Sequence, residues 1–340
     1  MNDTMWIHTL EKQALAGESL NREAILRLLA LDPASEAALC LGRAAGRLAR
    51  VATGNRGRVW SAIGLDCRPC PKNCTFCAFG ARWGLMREER ELAPAEVIDT
   101  ARRLVHDGAD WVTLRTTEFY GFERLCRLAR QVRDAVPGAY HMVVNTGQMG
   151  DAEVRAMQAA GIDVVYHSLR LGEGACTCFT PEERLETLRA VARSPLRLAH
   201  LVEPVGPEHS NEEIAHVLMT ALENGAVLSG VMARVAVPGT PDGRREVLSE
   251  RRLAQLTAIT RLCGGLRVPD ICVHPASRLA VEWGANVVVV EGGAVPRHEA
   301  FCGEAWRGFD MAQARALLRE AGYAVNTAEA APGRDGNCAP

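Results

Sequence analysis

The 340-residue chain alternates between two spacings of apolar residues. Short runs rich in Val, Ile and Leu predict β-strands, and after each run the apolar residues recur about every 3.6 positions, as in an amphipathic helix. Two helices, one after Asn21 and one after Ser35, are expected before the first strand. The predicted strands span residues 59–65, 111–115, 141–145, 163–169, 196–202, 228–237, 270–273 and 286–291.

Several helix starts are marked by residues that satisfy the free N–H groups of a first helical turn. Thr180 and Ser210 are each followed three residues later by a glutamate, which is the pattern of a capping box, and Pro181 is a residue favoured in the first turn. The last helix is expected to begin at Asp310, with Gln313 three residues later. These starts make the alternation of strands and helices regular.

Eight strands that alternate with helices over about 260 residues predict an α/β fold, a (β/α)8 barrel of the TIM type. Residues 163–169 and 286–291 are nearly continuous apolar runs, as expected of strands buried on both faces. We expect an N-terminal helical cap over residues 1–55, the barrel over residues 56–323, and a short mobile C-terminal tail over residues 324–340.

Composition narrows the function classes. The formal net charge is −2 and no block of Lys or Arg stands out, so nothing favours nucleic-acid binding. No apolar stretch approaches the roughly 20 residues that span a bilayer, and the N-terminus lacks the apolar core of a secretion signal. We therefore expect a cytoplasmic protein without a membrane partner, whose twelve cysteines stay reduced.

The clearest chemical signal is the run of Cys70, Cys74 and Cys77, which follows the first strand with C-x3-C-x2-C spacing. TIM barrels carry their active sites at the C-terminal ends of their strands, where this loop begins. Three neighbouring thiolates can hold three irons of a [4Fe-4S] cluster and leave the fourth iron open. Cys67 extends the run to four cysteines, so a closed electron-transfer cluster and a zinc site are alternatives, although zinc ribbons separate their cysteine pairs by about 12–20 residues.

Further motifs accompany the N-C-T-F-C sequence at residues 73–77. They are T-T-E at 116–118, T-P-E-E-R-L-E-T-L at 180–188, P-G-T-P at 238–241 and G-A-N at 284–286. In this order the motifs resemble the radical S-adenosylmethionine (SAM) enzymes, in the branch of biotin synthase, methylornithine synthase, the related hydrogenase maturases and the biotin-synthase-like lipoyl synthases. The resemblance covers roughly residues 20–323.

The resemblance implies cofactors and a partner. Cys70, Cys74 and Cys77 would ligate a [4Fe-4S] cluster whose open iron binds SAM. An electron from a flavodoxin- or ferredoxin-type donor would then release a 5′-deoxyadenosyl radical, while the protein orients the reactants and excludes water. The other residues expected to contact SAM are Phe76, Thr117, Glu118, Arg170 and Glu208.

Three of these SAM contacts have a structural alternative. Phe76 would lie near the adenine or else fill the core beneath the loop. Glu118 would bind the SAM ammonium, as the Gly-Gly-Glu motif of the family does, or else be a solvated loop acid; two threonines replace the glycines here. Arg170 would hold the SAM carboxylate or else form a surface salt bridge. Glu208 lies in a V-G-P-E turn, which departs from the G-x-G-E turn of the family.

The remaining cysteines bear on what the radical does. In biotin synthase a second Fe–S cluster supplies sulfur and is held by cysteines of strands two, three and five with an arginine of strand seven; this chain has none of them, and His274 ends strand seven. Cys176, Cys178 and Cys302 instead fall in loops expected at the active face. We predict that they hold a relocated auxiliary cluster, the alternative being thiols without metal. The roles of His167 and His274 stay open.

Three functional hypotheses follow. The first is insertion of sulfur at unactivated C–H positions, as in a lipoyl synthase, with an octanoyl chain on a lipoyl-carrier-type protein as substrate and partner. The second is a single-cluster maturase or mutase that acts on a small amino-acid-like substrate. The third, from another class, is a non-enzymatic Fe–S protein that transfers electrons through a closed four-cysteine cluster.

Overall fold

The structure, a computed structural model, describes residues 2–86, 88–294 and 309–326. Its strands are β1 (Arg58–Gly64), β2 (Asp66–Cys67), β3 (Arg90–Glu91), β4 (Trp111–Arg115), β5 (His141–Asn145), β6 (Val164–Tyr166), β7 (Arg197–Ala199), β8 (Val202–Val205), β9 (Ala226–Ala233), β10 (Asp270–His274) and β11 (Val287–Gly293). Its helices are α1 (Asp3–Leu15), α2 (Arg22–Leu29), α3 (Glu36–Thr53), α4 (Pro94–His106), α5 (Phe122–Ala135), α6 (Asp151–Ala159), α7 (Pro181–Ala192), α8 (Asn211–Glu223), α9 (Glu250–Gly264), α10 (Arg278–Glu282) and α11 (Met311–Glu320).

The main sheet closes on itself. Parallel strands follow one another in the order β1, β4, β5, β6, β7, β9, β10 and β11, and β11 pairs again with β1. The intervening helices alternate with the strands along the chain, so the predicted (β/α)8 fold is confirmed. The short strands β2 and β3 pair with each other, antiparallel, beside the loop that carries the cysteine run.

Strand five differs from its predicted span of residues 196–202. It consists of two segments, β7 and β8, which both pair with β9 across a shift of register. Pro204 lies in the second segment and has no N–H to donate to a ladder, which accounts for the irregular pairing. Strand five therefore extends beyond its predicted end, and Glu203 lies in its C-terminal segment.

Two other strands end three or four residues before their predicted ends. Strand four ends at Tyr166 instead of residue 169, because the chain turns inward and the N–H of Leu169 donates to Nε2 of His200 rather than to a neighbouring strand. Strand six begins at Ala226 and ends at Ala233 rather than at residue 237. Strands two and three match their predicted bounds.

The N-terminal cap contains one more helix than predicted, α1. It is capped by Asn2, whose side chain accepts from the N–H of Met5, and it buries Ile7 and Leu10 against α3 and α9. Met5 is 61% exposed and interrupts the apolar pattern, which explains why the periodicity did not reveal the helix. Of the predicted tail, residues 327–340 lie outside the described residues. None of the helices that the structure describes could cross a membrane.

The interior of the barrel is filled near the N-terminal ends of its strands, by an apolar group that includes Trp60, Trp111, Leu228 and Cys272. A larger apolar layer lies between strands and helices. The G-A-N motif is structural, since Asn286 accepts hydrogen bonds from Arg261 and from the N–H of Ile271. Open space is therefore left at the C-terminal ends of the strands.

Candidate active site

A cavity opens at the C-terminal ends of the strands, with an empty volume of about 1130 Å³ including the solvent at its mouth. This is the end of a TIM barrel that carries active sites. The polar or charged residues that line it are Thr113, Arg115, Asn145, Tyr166, Arg170, Glu203, Arg234, His274 and Glu291. Phe76 and Cys77 reach it from the cysteine loop.

The cysteine loop is held in shape by its own hydrogen bonds. The N–H of Cys70 donates to the carbonyl of Phe79 at 2.6 Å, and the N–H of Ala81 donates to the carbonyl of Cys70 at 2.9 Å. Asn73 has a φ of +49°, a conformation that Asn tolerates, and its side chain accepts from the N–H of Arg82. The loop therefore presents its three cysteines on a defined backbone.

Thr75 connects this loop to two neighbouring loops. Its hydroxyl donates to Asp242 at 2.6 Å, and its carbonyl accepts from the N–H of Asp242 at 3.1 Å. Its N–H donates to the carbonyl of Cys176 at 2.9 Å. Asp242 immediately follows the P-G-T-P motif, so one function of that motif is to seat the cysteine loop over the barrel.

The three thiols form a donor set suited to iron. Burial raises the pKa of Cys74 to about 12, with the neighbouring Cys77 adding to the effect, and burial likewise raises the pKa of Cys70. Because neighbouring thiolates repel one another, all three thiols can be deprotonated at once only when metal cations compensate their charges. No three His, Cys, Asp or Glu side chains among the described residues are arranged around a single metal ion. In a cubane each thiolate binds a different iron, so the ligands need not converge on one point.

Cys67, which a closed four-cysteine cluster would require, lies apart from this set. It is 1% exposed, belongs to the apolar core and sits in β2 opposite Arg90. Burial raises the pKa of its thiol, with Asp66 and Glu89 adding to the effect. The position of Cys67 in the core argues against the closed cluster.

The T-T-E loop follows β4 on the same face of the barrel. Both carboxylate oxygens of Asp66 accept from Thr117, one from its N–H at 2.7 Å and the other from its hydroxyl. Glu118 is exposed, and within the described residues its carboxylate has no hydrogen bond or ion pair. A Cβ at Gly147 would lie 3.3 Å from that carboxylate, so glycine provides room for it.

Arg184 is a residue that the sequence motifs did not single out, although it lies within the 180–188 motif. Its side chain is 5% exposed, its Nε donates to Glu173 at 3.0 Å, and its guanidinium stacks on Phe179 at 4.1 Å. Nη2 is buried without a hydrogen-bond partner among the described residues. Burial lowers the pKa of Arg184, and Glu118 is among the carboxylates that oppose this shift. An anionic ligand could pair with this donor.

One wall of the cavity carries Arg170, whose Nε lies 3.5 Å from Glu203. Tyr166 donates its hydroxyl to the same carboxylate and meets the edge of Trp60. Burial opposes the charge of Arg170, but Glu203 and Glu173 hold its pKa above the ordinary value. Arg170 therefore lies in the cavity wall and not in a surface salt bridge. Sequence reasoning missed Glu203 because strand five was predicted to end before it.

The opposite wall carries a second pair, in which Arg115 donates to Glu291 at 2.7 Å. Arg115 ends β4 and lies opposite Gly64 of β1, whereas Glu291 lies in β11 opposite Ala62 of β1, so the ion pair reaches across β1. His274 approaches the same carboxylate, with Nε2 4.0 Å from Oε1 of Glu291. The cavity thus has an arginine–glutamate pair on each of two sides.

Other predicted residues lie outside the cavity wall. Glu208 is held by Arg234, with two contacts of 3.2 Å. Cys176 and Cys178 lie in the loop after strand four, where Cys178 is exposed. Burial lowers the pKa of His167 well below its ordinary value, so this histidine is a neutral core residue. Cys302 lies outside the described residues.

Comparison with known proteins places these features in context. A family model described as the radical SAM superfamily matches residues 67–248. A biotin synthase from Nocardioides sp. is 25% identical over 305 residues, which cover 85% of this chain and 78% of that protein. Biotin synthase 2 from Corynebacterium diphtheriae is 23% identical over 333 residues, which cover 94% and 96% of the two chains.

Two solved structures have a similar fold. Methylornithine synthase (PylB) superposes with a TM-score of 0.73 at 18% identity, covering 92% of this chain and 95% of that one. HydG, a maturase of the [FeFe]-hydrogenase, superposes with a TM-score of 0.78 at 12% identity, covering 94% and 76% of the two chains. At these identities the likeness concerns the fold. All four proteins fit the branch that the sequence motifs resemble.

Proposed function

Because the chain belongs to the radical SAM superfamily, whose enzymes use a [4Fe-4S] cluster and SAM, we propose that Cys70, Cys74 and Cys77 hold its cluster. We further propose that its substrate is a small amino-acid-like molecule bound in the barrel cavity. When bound, the cluster and SAM supply a 5′-deoxyadenosyl radical, which is strong enough to remove hydrogen from an unactivated C–H bond. An electron donor is required, and its identity is open.

The residues around the cysteine loop are suited to the amino-acid part of SAM. Glu118 has a carboxylate available for the ammonium, and Arg184 has an unpartnered Nη2 available for the carboxylate. Glu118 and Arg184 are close enough for their charges to interact, as a ligand with both charges requires. Phe76 and Arg170, in the cavity wall, would face the rest of SAM. Glu208 has no part in this arrangement because Arg234 occupies it.

One observation carries the choice of substrate class, namely the two arginine–glutamate pairs in the cavity wall, Arg115 with Glu291 and Arg170 with Glu203. A small zwitterion can exchange its ammonium and carboxylate with such a pair and keep every charge compensated. An octanoyl chain would remove water from the same charges and offer no polar group in return, which costs free energy. The cavity therefore favours the small polar substrate.

Sulfur insertion is the second candidate, because the curated relatives include biotin synthases and because the Cys176 loop touches the cysteine loop. Cys178 is close enough to Cys74 to add to the rise in its pKa. An auxiliary cluster on Cys176, Cys178 and Cys302 stays a prediction, as does a lipoyl-carrier-type protein as partner.

Anaerobic reconstitution tests these proposals. We expect about four irons per chain and, with SAM and dithionite, release of 5′-deoxyadenosine. Cys74→Ala should lose iron and the product, whereas Cys126→Ala, a buried cysteine of α5, should keep both. A panel of amino acids should contain compounds that accelerate 5′-deoxyadenosine release. About eight irons, falling to about four in Cys176→Ala/Cys178→Ala, would favour sulfur insertion instead.

The electron-transfer hypothesis has its own outcome in the same experiment. A reconstituted protein that cycles between redox states but never forms 5′-deoxyadenosine would be an electron carrier, and the enzymatic proposal would be wrong. In that case Cys67→Ala should abolish the cluster. Under our proposal it should leave the iron content unchanged, because Cys67 lies in the apolar core.

A further inference from the structure

Asp66 is a buried carboxylate whose contacts the proposed function does not yet explain. It is 2% exposed, it begins β2, and it follows the first barrel strand by two residues. Both of its oxygens accept hydrogen bonds from a single residue, Thr117, one from the N–H at 2.7 Å and one from the hydroxyl. Burying a carboxylate this deeply costs free energy unless it is hydrogen-bonded, and Thr117 supplies hydrogen bonds to both oxygens.

Thr117 stands in the T-T-E loop where the resembled family has a glycine, so it brings a side chain and a hydroxyl into a confined place. Asp66 accommodates both, since it binds the hydroxyl and the main-chain N–H together. On the other side of the loop, Thr116 donates its N–H to Asn145 at 3.0 Å and its hydroxyl to Thr146 at 2.9 Å. The loop is thus held from both sides, and its two hydroxyl contacts are ones that glycines could not make.

Glu118, the next residue, is the only member of this loop whose side chain is left without a hydrogen bond among the described residues. Its carboxylate lies over Gly147, and a Cβ there would come within 3.3 Å. The backbone of Glu118 is therefore placed by Thr117, and its side chain has room to reach a ligand.

We propose that Asp66 is a positioning residue that, through Thr117, holds Glu118 where it binds the ammonium group of SAM. The inference rests on the proposed function. Where the resembled family has flexible glycines in this loop, this chain would use the side chain of Asp66, two residues beyond the first barrel strand, to place the loop. Asp66 itself does not touch SAM in this proposal, and it contributes through geometry and not through its charge.

The test compares two ligands on the reconstituted protein, SAM and methylthioadenosine, which has the adenosine and the thioether but no amino-acid group. Asp66→Ala should weaken SAM binding about tenfold, the effect of misplacing one charge-assisted hydrogen bond, and leave methylthioadenosine binding unchanged. Asp66→Asn should retain most of the SAM affinity, because its amide can accept from the N–H of Thr117 and donate to the hydroxyl. Asp110→Ala, which removes a buried carboxylate before β4, is the matched control and should leave both affinities unchanged.

Thr117→Val keeps the shape of the side chain and removes only the hydroxyl, so it should weaken SAM binding about threefold without affecting methylthioadenosine. This variant carries the test if thermal melting of the cluster-free protein shows that Asp66→Ala is unfolded. Equal loss of both ligands, or no loss of either, in folded Asp66→Ala and Thr117→Val would overturn the inference. A wild-type protein that binds neither ligand would instead refute the proposed function.

Discussion

Glu173 organises the loop between strand four and α7, and its removal should destabilise the protein strongly. Its side chain is 1% exposed. It accepts from the main-chain N–H of Arg170 at 3.1 Å, from Nε of Arg184 at 3.0 Å and from the hydroxyl of Thr177. The loop that it holds carries Cys176, which touches the cysteine loop.

The size of the effect follows from burial. Glu173→Ala leaves the guanidinium of Arg184, which is 5% exposed, without its carboxylate, and breaking a buried ion pair from one side costs about 3–5 kcal/mol. Glu173→Gln keeps an acceptor but not the charge, so we expect it to cost about half as much. The free energy of unfolding is measured by urea titration of the cluster-free protein under anaerobic, reducing conditions.

The chain offers a matched control on α7, the helix that carries Arg184. Glu182 lies 2.5 Å from Arg189, but these side chains are 60% and 53% exposed, so Glu182→Ala should cost at most about 1 kcal/mol. If Glu173→Ala costs no more than Glu182→Ala, the burial argument is wrong. If Glu173→Gln lowers the free energy of unfolding as much as Glu173→Ala does, the hydrogen bonds of Glu173 do not contribute and its charge alone explains the effect.

Other outcomes can be checked by urea titration or thermal melting of the cluster-free protein. Burial raises the pKa of Asp110 to about 6. Between about pH 4 and pH 6 the folded protein therefore keeps a proton that the unfolded chain has released, and the free energy of unfolding should fall by about 3 kcal/mol over this range. Asp110→Asn should not show this pH-dependent fall. Arg261 donates to three main-chain carbonyls and to Asn286 in the core. Arg261→Lys should therefore lower the free energy of unfolding by about 3 kcal/mol, and a loss under about 1 kcal/mol would contradict this prediction. In Gly42→Ala the new Cβ would overlap the ring of Trp283, so the melting temperature should fall despite the better helix propensity of alanine.

Local chemistry made much of the fold predictable. Capping boxes at Thr180 and Ser210 mark helix starts because the side chains involved lie within four residues of one another. Strands buried on both faces show as apolar runs whatever their partners. The split of strand five and the helix at residues 3–15 were not predicted, because a register shift and a covered helix face depend on distant parts of the chain.

The candidate site was predictable only in part, for a similar reason. Cys70, Cys74 and Cys77 stand close together in sequence, so their common loop and its place after a strand follow from local spacing alone. Arg184 and Glu203 were not recognised, because a lone charged residue on a helix or strand gives no sign of which charge it will face.

The order of residues along the chain thus determined the barrel, the position of the cysteine loop and the kind of chemistry that three thiols can support. These properties arise from neighbours in sequence, whose spacing sets backbone conformation and donor geometry. Only the tertiary structure decided that Cys67 belongs to the core, that Asp66 binds Thr117, and that arginine–glutamate pairs line the cavity. Such contacts join residues up to 176 positions apart, and their energies depend on burial, which exists only once the barrel has closed.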